Sequence, residues 1–155
     1  MRILGIDPGT AITGFGVIDY DGGKFKFVDA GAIRTHKEQP MNERLSTIYD
    51  EINELLTEFK PDVMSIELLF FARNVTTAMT VGQSRGIVIL AATKAKVPVF
   101  EYTPMQVKQA VTGYGKAEKK QIQEMVKQLL KLDDIPKPDD AADGLAIAIT
   151  HAGQS

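Results

Sequence analysis

The chain has 155 residues, enough to bury a sizeable core in one domain (1–155), and its 44% hydrophobic and 25% charged content is that of an ordinary globular protein. It has no cysteine, which excludes disulfides and thiolate metal sites, and its two histidines, His36 and His151, lack zinc-ligand spacing. Net charge is only −2, but three Lys/Arg stand against eight Asp/Glu from Lys37 to Glu67, and eight Lys against three Glu from Lys94 to Lys131. Such asymmetry points to one basic face. With no signal-peptide pattern and no membrane-length apolar run, a cytoplasmic protein with no membrane association is expected.

Residues 2–7 form a continuous apolar run ending in Asp7, which predicts a central strand. Pro8-Gly9-Thr10 turns the backbone into a second strand over about 12–20. Asp21-Gly22-Gly23 is a hairpin signal, and a third strand covers about 24–34, opening with the alternating, half-exposed Lys24-Phe25-Lys26-Phe27. A helix follows over about 42–59, with Leu45, Ile48, Tyr49, Ile52, Leu55, Leu56 and Phe59 on one stripe and acids opposite. Val63-Met64-Ser65-Ile66-Glu67 repeats the opening pattern of a short apolar strand that delivers a carboxylate, and an irregular segment, 68–74, comes next.

A long helix is predicted over about 75–95. Ala78, Gly82 and Gly86 recur on it every four residues, and glycine inside a helix costs about 1 kcal/mol against alanine. The pattern calls for close backbone approach, either to the protein's own sheet or to a second helix across a dimer. A fifth strand covers 97–102. Thr103-Pro104-Met105-Gln106 is a capping box opening a short helix to about 112. Two more helices cover about 117–131, with Ile122, Met125, Val126, Leu129 and Leu130 inward, and about 139–152, packed through Ala142, Leu145, Ala146 and Ile149. Three antiparallel strands followed by βαβ crossovers predict an α/β fold, a mixed five-stranded sheet with helices on both faces.

Asp7, Glu67, Asp140 and Asp143 are acids in apolar settings. Asp7 and Glu67 end neighbouring strands, while Asp140 and Asp143 are three apart on one helix face. Four converging carboxylates repel unless a hard divalent cation neutralises them, and a pair of Mg²⁺ ions is a device for phosphodiester hydrolysis. Spacing alone does not choose between Asp139 and Asp140, since Asp139 and Asp143 are four apart and either early acid can cap the helix.

GIDPGTAITGFGVID, SIELLFFARN, TVGQSRGIVILAA, VFEYTPMQVKQAVTGYGKAEKKQIQEMV and DDAADGLAIAITH, in that order from residue 2 to about 152, closely resemble the RuvC family of bacterial Holliday junction resolvases. The resemblance implies an RNase H-like fold, a homodimer, and symmetric paired nicking of four-way DNA junctions with Mg²⁺, two ions per site, for which Mn²⁺ substitutes. It implies recombination and repair partners, the branch-migration proteins RuvA and RuvB. Carried over by residue, Asp7, Glu67, Asp140 and Asp143 match the catalytic metal carboxylates, which leaves Asp139 as a neighbour or cap. Some relatives have His where this chain has Asp140. Phe70 matches an aromatic that stacks on a base near the crossover. Lys108 and Lys119 match lysines near the cut phosphate, with Arg73, Lys116 and Lys120 as further DNA-binding candidates. The helix bearing Ala78, Gly82 and Gly86 resembles the dimer helix. His151, at the end of the last helix, is expected to complement the helix dipole and is left out of the site.

Overall fold

Strand β1 (Arg2–Asp7) lies in the middle of a five-stranded sheet of order β3-β2-β1-β4-β5. The computed structural model describes residues 1–68 and 75–154. Antiparallel to β1 runs β2 (Ile12–Asp21), and antiparallel to β2 runs β3 (Lys24–Arg34). The β2–β3 turn places Gly22 and Gly23 at φ 55° and 83°, which a tight hairpin needs and glycine adopts without strain. On its other side β1 pairs in parallel with β4 (Val63–Glu67), which pairs in parallel with β5 (Val99–Tyr102).

Strand alternation divides the core into two layers. Leu4 and Ile6 of β1, Phe15 and Val17 of β2, and Met64 and Ile66 of β4 face helices α1 (Met41–Phe59) and α2 (Val75–Lys94). Ile3, Ile18 and Tyr102 face the layer of α3 (Pro104–Thr112), α4 (Lys119–Leu129) and α5 (Asp139–Gln154). The side-chain period of two therefore puts Asp7 on the same face as Ile3, under α5.

The predicted boundaries move where local chemistry intervenes. The fifth strand begins at Val99, and α4 begins at Lys119 because Glu118 forms a capping box with Gln121. That helix stops at Leu129, just before Lys131, which is left-handed at φ 54°. The last helix is buried from Ala141 to Ala152 on almost every side, Asp143 excepted, rather than along one stripe. No helix among the described residues is long and apolar enough to cross a membrane.

Candidate metal centre and its surroundings

Asp7 ends β1 and Glu67 ends β4, one register step beyond the paired residues Ile6 and Ile66. Both carboxylates therefore leave the sheet on the same face and at the same edge. The first turns of α5 supply Asp140 and Asp143. What seats α5 so low on the sheet is glycine. A β-carbon at Gly5 would stand 2.1 Å from the Gly144 carbonyl oxygen, one at Gly14 2.0 Å from that of Asp140, and one at Gly16 2.5 Å from the Leu145 nitrogen. In return, a β-carbon at Gly144 would fall 2.5 Å from the Phe15 carbonyl carbon. Backbone thus rests on backbone, a contact that only residues without side chains permit. Farther along, the buried Ser65 hydroxyl donates to the Ile147 carbonyl at 2.8 Å and fixes the helix against β4.

The arrangement brings one carboxylate oxygen from each of Asp7, Asp140 and Asp143 within 4.8 Å of one another. Asp7, Glu67 and Asp143 also share the wall of a cavity of about 300 Å³, with Lys108 and Lys119 at its sides and Val107, Ile122 and Ala146 as its apolar lining. Burial, then the nearby charges of Glu67 and Asp143, pushes Asp7 up to about 8. Burial and Asp143 push Glu67 up to about 7, against the opposing pull of Lys108. Asp143 is raised as well, chiefly by burial, although Lys119 and the hydrogen bond from Asp7 oppose it. Acids crowded together out of water hold on to protons until a cation replaces them. An all-oxygen, carboxylate donor set suits a hard divalent ion and not a thiophilic one.

Lys119 reaches across the cavity mouth, with its Nζ 3.6 Å from Asp139 and 3.9 Å from Asp143. Asp139 thus pairs with a lysine outside the three-carboxylate cluster, while Asp140 lies within it. Lys116 and Lys120 are exposed and stand apart from the acidic cavity: Lys120 lines a neighbouring groove. Phe70 and Arg73 lie outside the described residues.

On α2, a β-carbon at Gly82 or Gly86 would meet nothing within 4 Å. The first of the two expected partners, the protein's own sheet, is therefore wrong: the glycines face outward. Val75, Met79 and Leu90 are exposed on the same side of that helix, at 76%, 62% and 47%.

His151 departs from its expected role. It is 6% exposed, its Nδ1 lies 2.6 Å from the Tyr102 hydroxyl, and its ring packs tilted, at 37°, against Phe100 with 4.6 Å between centroids. Burial pulls its pKa down, so it serves as a neutral core hydrogen-bonding group and not as a cation on a helix terminus. Only the register Glu67↔Tyr102 brings β5 close enough to meet it, and nothing in the local sequence signals that. The glycine seat was also missed. Its signal was the alternation of Gly14 and Gly16 with Phe15 and Val17 on one strand.

A family model described as crossover junction endodeoxyribonuclease RuvC matches residues 3–151. A curated protein of that name from Brevibacillus brevis is 63% identical over 152 residues, covering 98% of this chain and 92% of the relative. One from Ruminiclostridium cellulolyticum is 55% identical, covering 97% and 91%. Among solved structures, Thermus thermophilus RuvC in complex with a Holliday junction substrate superposes with a TM-score of 0.95 at 40% identity, covering 99% of this chain and 94% of that one. The yeast mitochondrial Holliday junction resolvase Ydc2, at 14% identity and a TM-score of 0.70, shares the fold.

Proposed function

This chain belongs to the RuvC family of crossover junction endodeoxyribonucleases, and from that premise we propose that it resolves four-way DNA junctions by hydrolysing phosphodiester bonds in symmetric, paired nicks during recombination and repair. The observation that carries the reading is the meeting of Asp7, Asp140 and Asp143 within 4.8 Å, two of them, Asp7 and Asp143, in the wall of a cavity shared with Glu67 and flanked by Lys108 and Lys119.

The four carboxylates fit divalent ions, since they are oxygen donors, each partly buried, with charge to neutralise. We assign them to a pair of Mg²⁺ ions, with Mn²⁺ as a substitute. Bound ions supply an acidified water and neutralise charge on the leaving oxygen. The chain's own groups do the rest. Asp7 and Glu67 are held by the sheet, and Asp140 and Asp143 by α5, so the set is positioned before substrate arrives. Ile122, Val107 and Ala146 keep the cavity wall apolar, which strengthens every charge interaction inside it. Lys119 at the mouth and Lys108 beside Glu67 place positive charge where a phosphate would enter. Lys116, Lys120 and Arg73 extend that DNA surface, and Phe70 stacks on a base near the crossover.

Two like cuts need two like sites, which a twofold dimer provides. The exposed face of α2, with Val75, Met79, Gly82, Gly86 and Leu90, and with Ala78 beside them, supports a helix-to-helix homodimer, because the glycines let two backbones approach. The single domain then works in the cytoplasm on chromosomal junctions delivered by RuvA and RuvB.

The deciding experiment is a synthetic four-way junction incubated with and without Mg²⁺. Paired nicks near the crossover are expected only with the ion, and Asp7→Asn should abolish them while junction binding survives. Cutting by the Asn variant at the parent's rate would refute the site.

A further inference from the structure

A second concavity adjoins the acidic cavity. The first turns of α4 form the wall between them: Lys119 and Ile122 face the acids, while Lys120 and Gln121 face the other way. This groove holds about 510 Å³, within the range of small-molecule sites, and the Tyr114 ring borders it with 55% of the residue exposed.

Tyr114 is held by its backbone and not by its ring. Its N–H donates to the Thr112 hydroxyl at 3.1 Å, and its carbonyl accepts from the Ala117 N–H at 3.1 Å. The loop is capped onto α3 by Gly113, at φ 79°, whose N–H donates to the Gln109 carbonyl at 2.8 Å. An aromatic ring is therefore presented to solvent on a fixed backbone, which lowers the ordering cost of any contact it makes.

The facing wall is specific in its polarity. The Glu118 N–H donates to Gln121 Oε1 at 2.8 Å, so the capping box occupies the amide oxygen and leaves the Gln121 NH₂ as a donor. Glu124, one turn on and on the same helix face, makes no hydrogen bond or ion pair with the described residues and offers an acceptor. Met125 adds a soft apolar surface. Glu118 and Glu124 outnumber Lys120 in this lining, so a bare phosphate or an acidic peptide is disfavoured. What suits a stacking face, one donor and one acceptor is a nucleobase, with its phosphates left to the lysines at the dividing wall.

We propose that this groove is a nucleobase pocket, which takes one unpaired base of the strand that passes the acidic cavity, with Tyr114 stacking on it and Gln121 and Glu124 meeting its edge. A carboxylate acceptor favours the amino-bearing bases, adenine, cytosine and guanine, over thymine, so the pocket contributes to the choice of cutting site. The proposal rests on the junction-nuclease reading above.

The test is an abasic scan. Four-way junctions carrying a single abasic site at successive positions around the crossover are measured for affinity without divalent ion and for nicking with Mg²⁺, using the parent, Tyr114→Ala and Tyr114→Phe. Base–aromatic stacking predicts that one position costs the parent about tenfold in affinity, that Tyr114→Ala is already weaker by a similar factor and ignores that position, and that Tyr114→Phe behaves as the parent. A parent that nicks intact junctions yet is indifferent to every abasic site, or a Tyr114→Ala variant weakened equally at all positions, overturns the pocket alone. A folded parent that neither binds nor nicks any junction overturns the junction-nuclease reading, and the pocket with it.

Discussion

Gly14 lies against the carbonyl of Asp140 so closely that a single methyl group on it would stand 2.0 Å from that oxygen. Gly14 is also the strand partner of Asp7. One glycine therefore sets the distance between a sheet carboxylate and a helix carboxylate. Gly14→Ala must displace α5 or bend β2, with an expected loss on the order of 1–3 kcal/mol in chemical denaturation. Mn²⁺ affinity, measured by calorimetry, should fall further than stability alone explains, because the helix that moves carries two of the four acids.

The raised carboxylates make stability depend on pH. Unfolded Asp and Glu release their protons near pH 4, whereas folded Asp7 and Glu67 hold theirs up to about 8 and 7. The folded state thus binds more protons across that window. The stabilisation is fully present below about pH 4 and is lost as pH rises toward 8. Without divalent ions, and with attention to this cluster alone, the melting temperature should be higher at pH 5.5 than at pH 8.5. Adding Mg²⁺ should raise it strongly at pH 8.5 and weakly at pH 5.5, since the ion competes with protons for the same oxygens. A metal response that is larger at the acidic pH would contradict this assignment.

Asp139 and Asp140 are adjacent but should not be equivalent. Asp140 stands in the three-oxygen cluster, whereas Asp139 pairs with Lys119 at 3.6 Å in an exposed setting. Asp140→Asn should remove metal-dependent nicking by several orders of magnitude. Asp139→Asn should keep most of it, because exposed ion pairs contribute little. Single-turnover rates at saturating Mg²⁺ distinguish the two.

Gly86→Glu tests the dimer face. Nothing within 4 Å opposes a β-carbon at that position, so the monomer fold should be retained, with helix propensity if anything improved. A charged side chain in a close helix contact should instead separate the subunits. Sedimentation should show monomers with unchanged circular dichroism, and junction cutting should lose its paired character.

Tyr102→Phe removes the hydroxyl that meets the buried His151 at 2.6 Å. A loss of about 1–3 kcal/mol in stability is expected from the imidazole left without its partner. Nicking rates per folded molecule should stay within twofold of the parent.

Much of this protein is determined by local pattern. Apolar runs ending in Asp7 and Glu67, the Gly22-Gly23 hairpin, the Thr103–Gln106 capping box and the 3.6-residue stripes each act within a few residues, so the strands and helices, and the mixed five-stranded class of sheet, follow from the sequence alone. The resemblance of motifs along the chain identifies the family for the same reason, since letters in order need no coordinates. Tertiary structure decided how far apart the acids stand, because that distance depends on α5 resting on Gly5, Gly14 and Gly16, contacts 120 and more residues apart in the chain. It also decided that Gly82 and Gly86 face outward and that His151 is buried beside Tyr102. A glycine can serve a turn, a seat or an interface, and a histidine can cap a helix or fill a core. Residue type does not choose among these; the elements packed around each residue do.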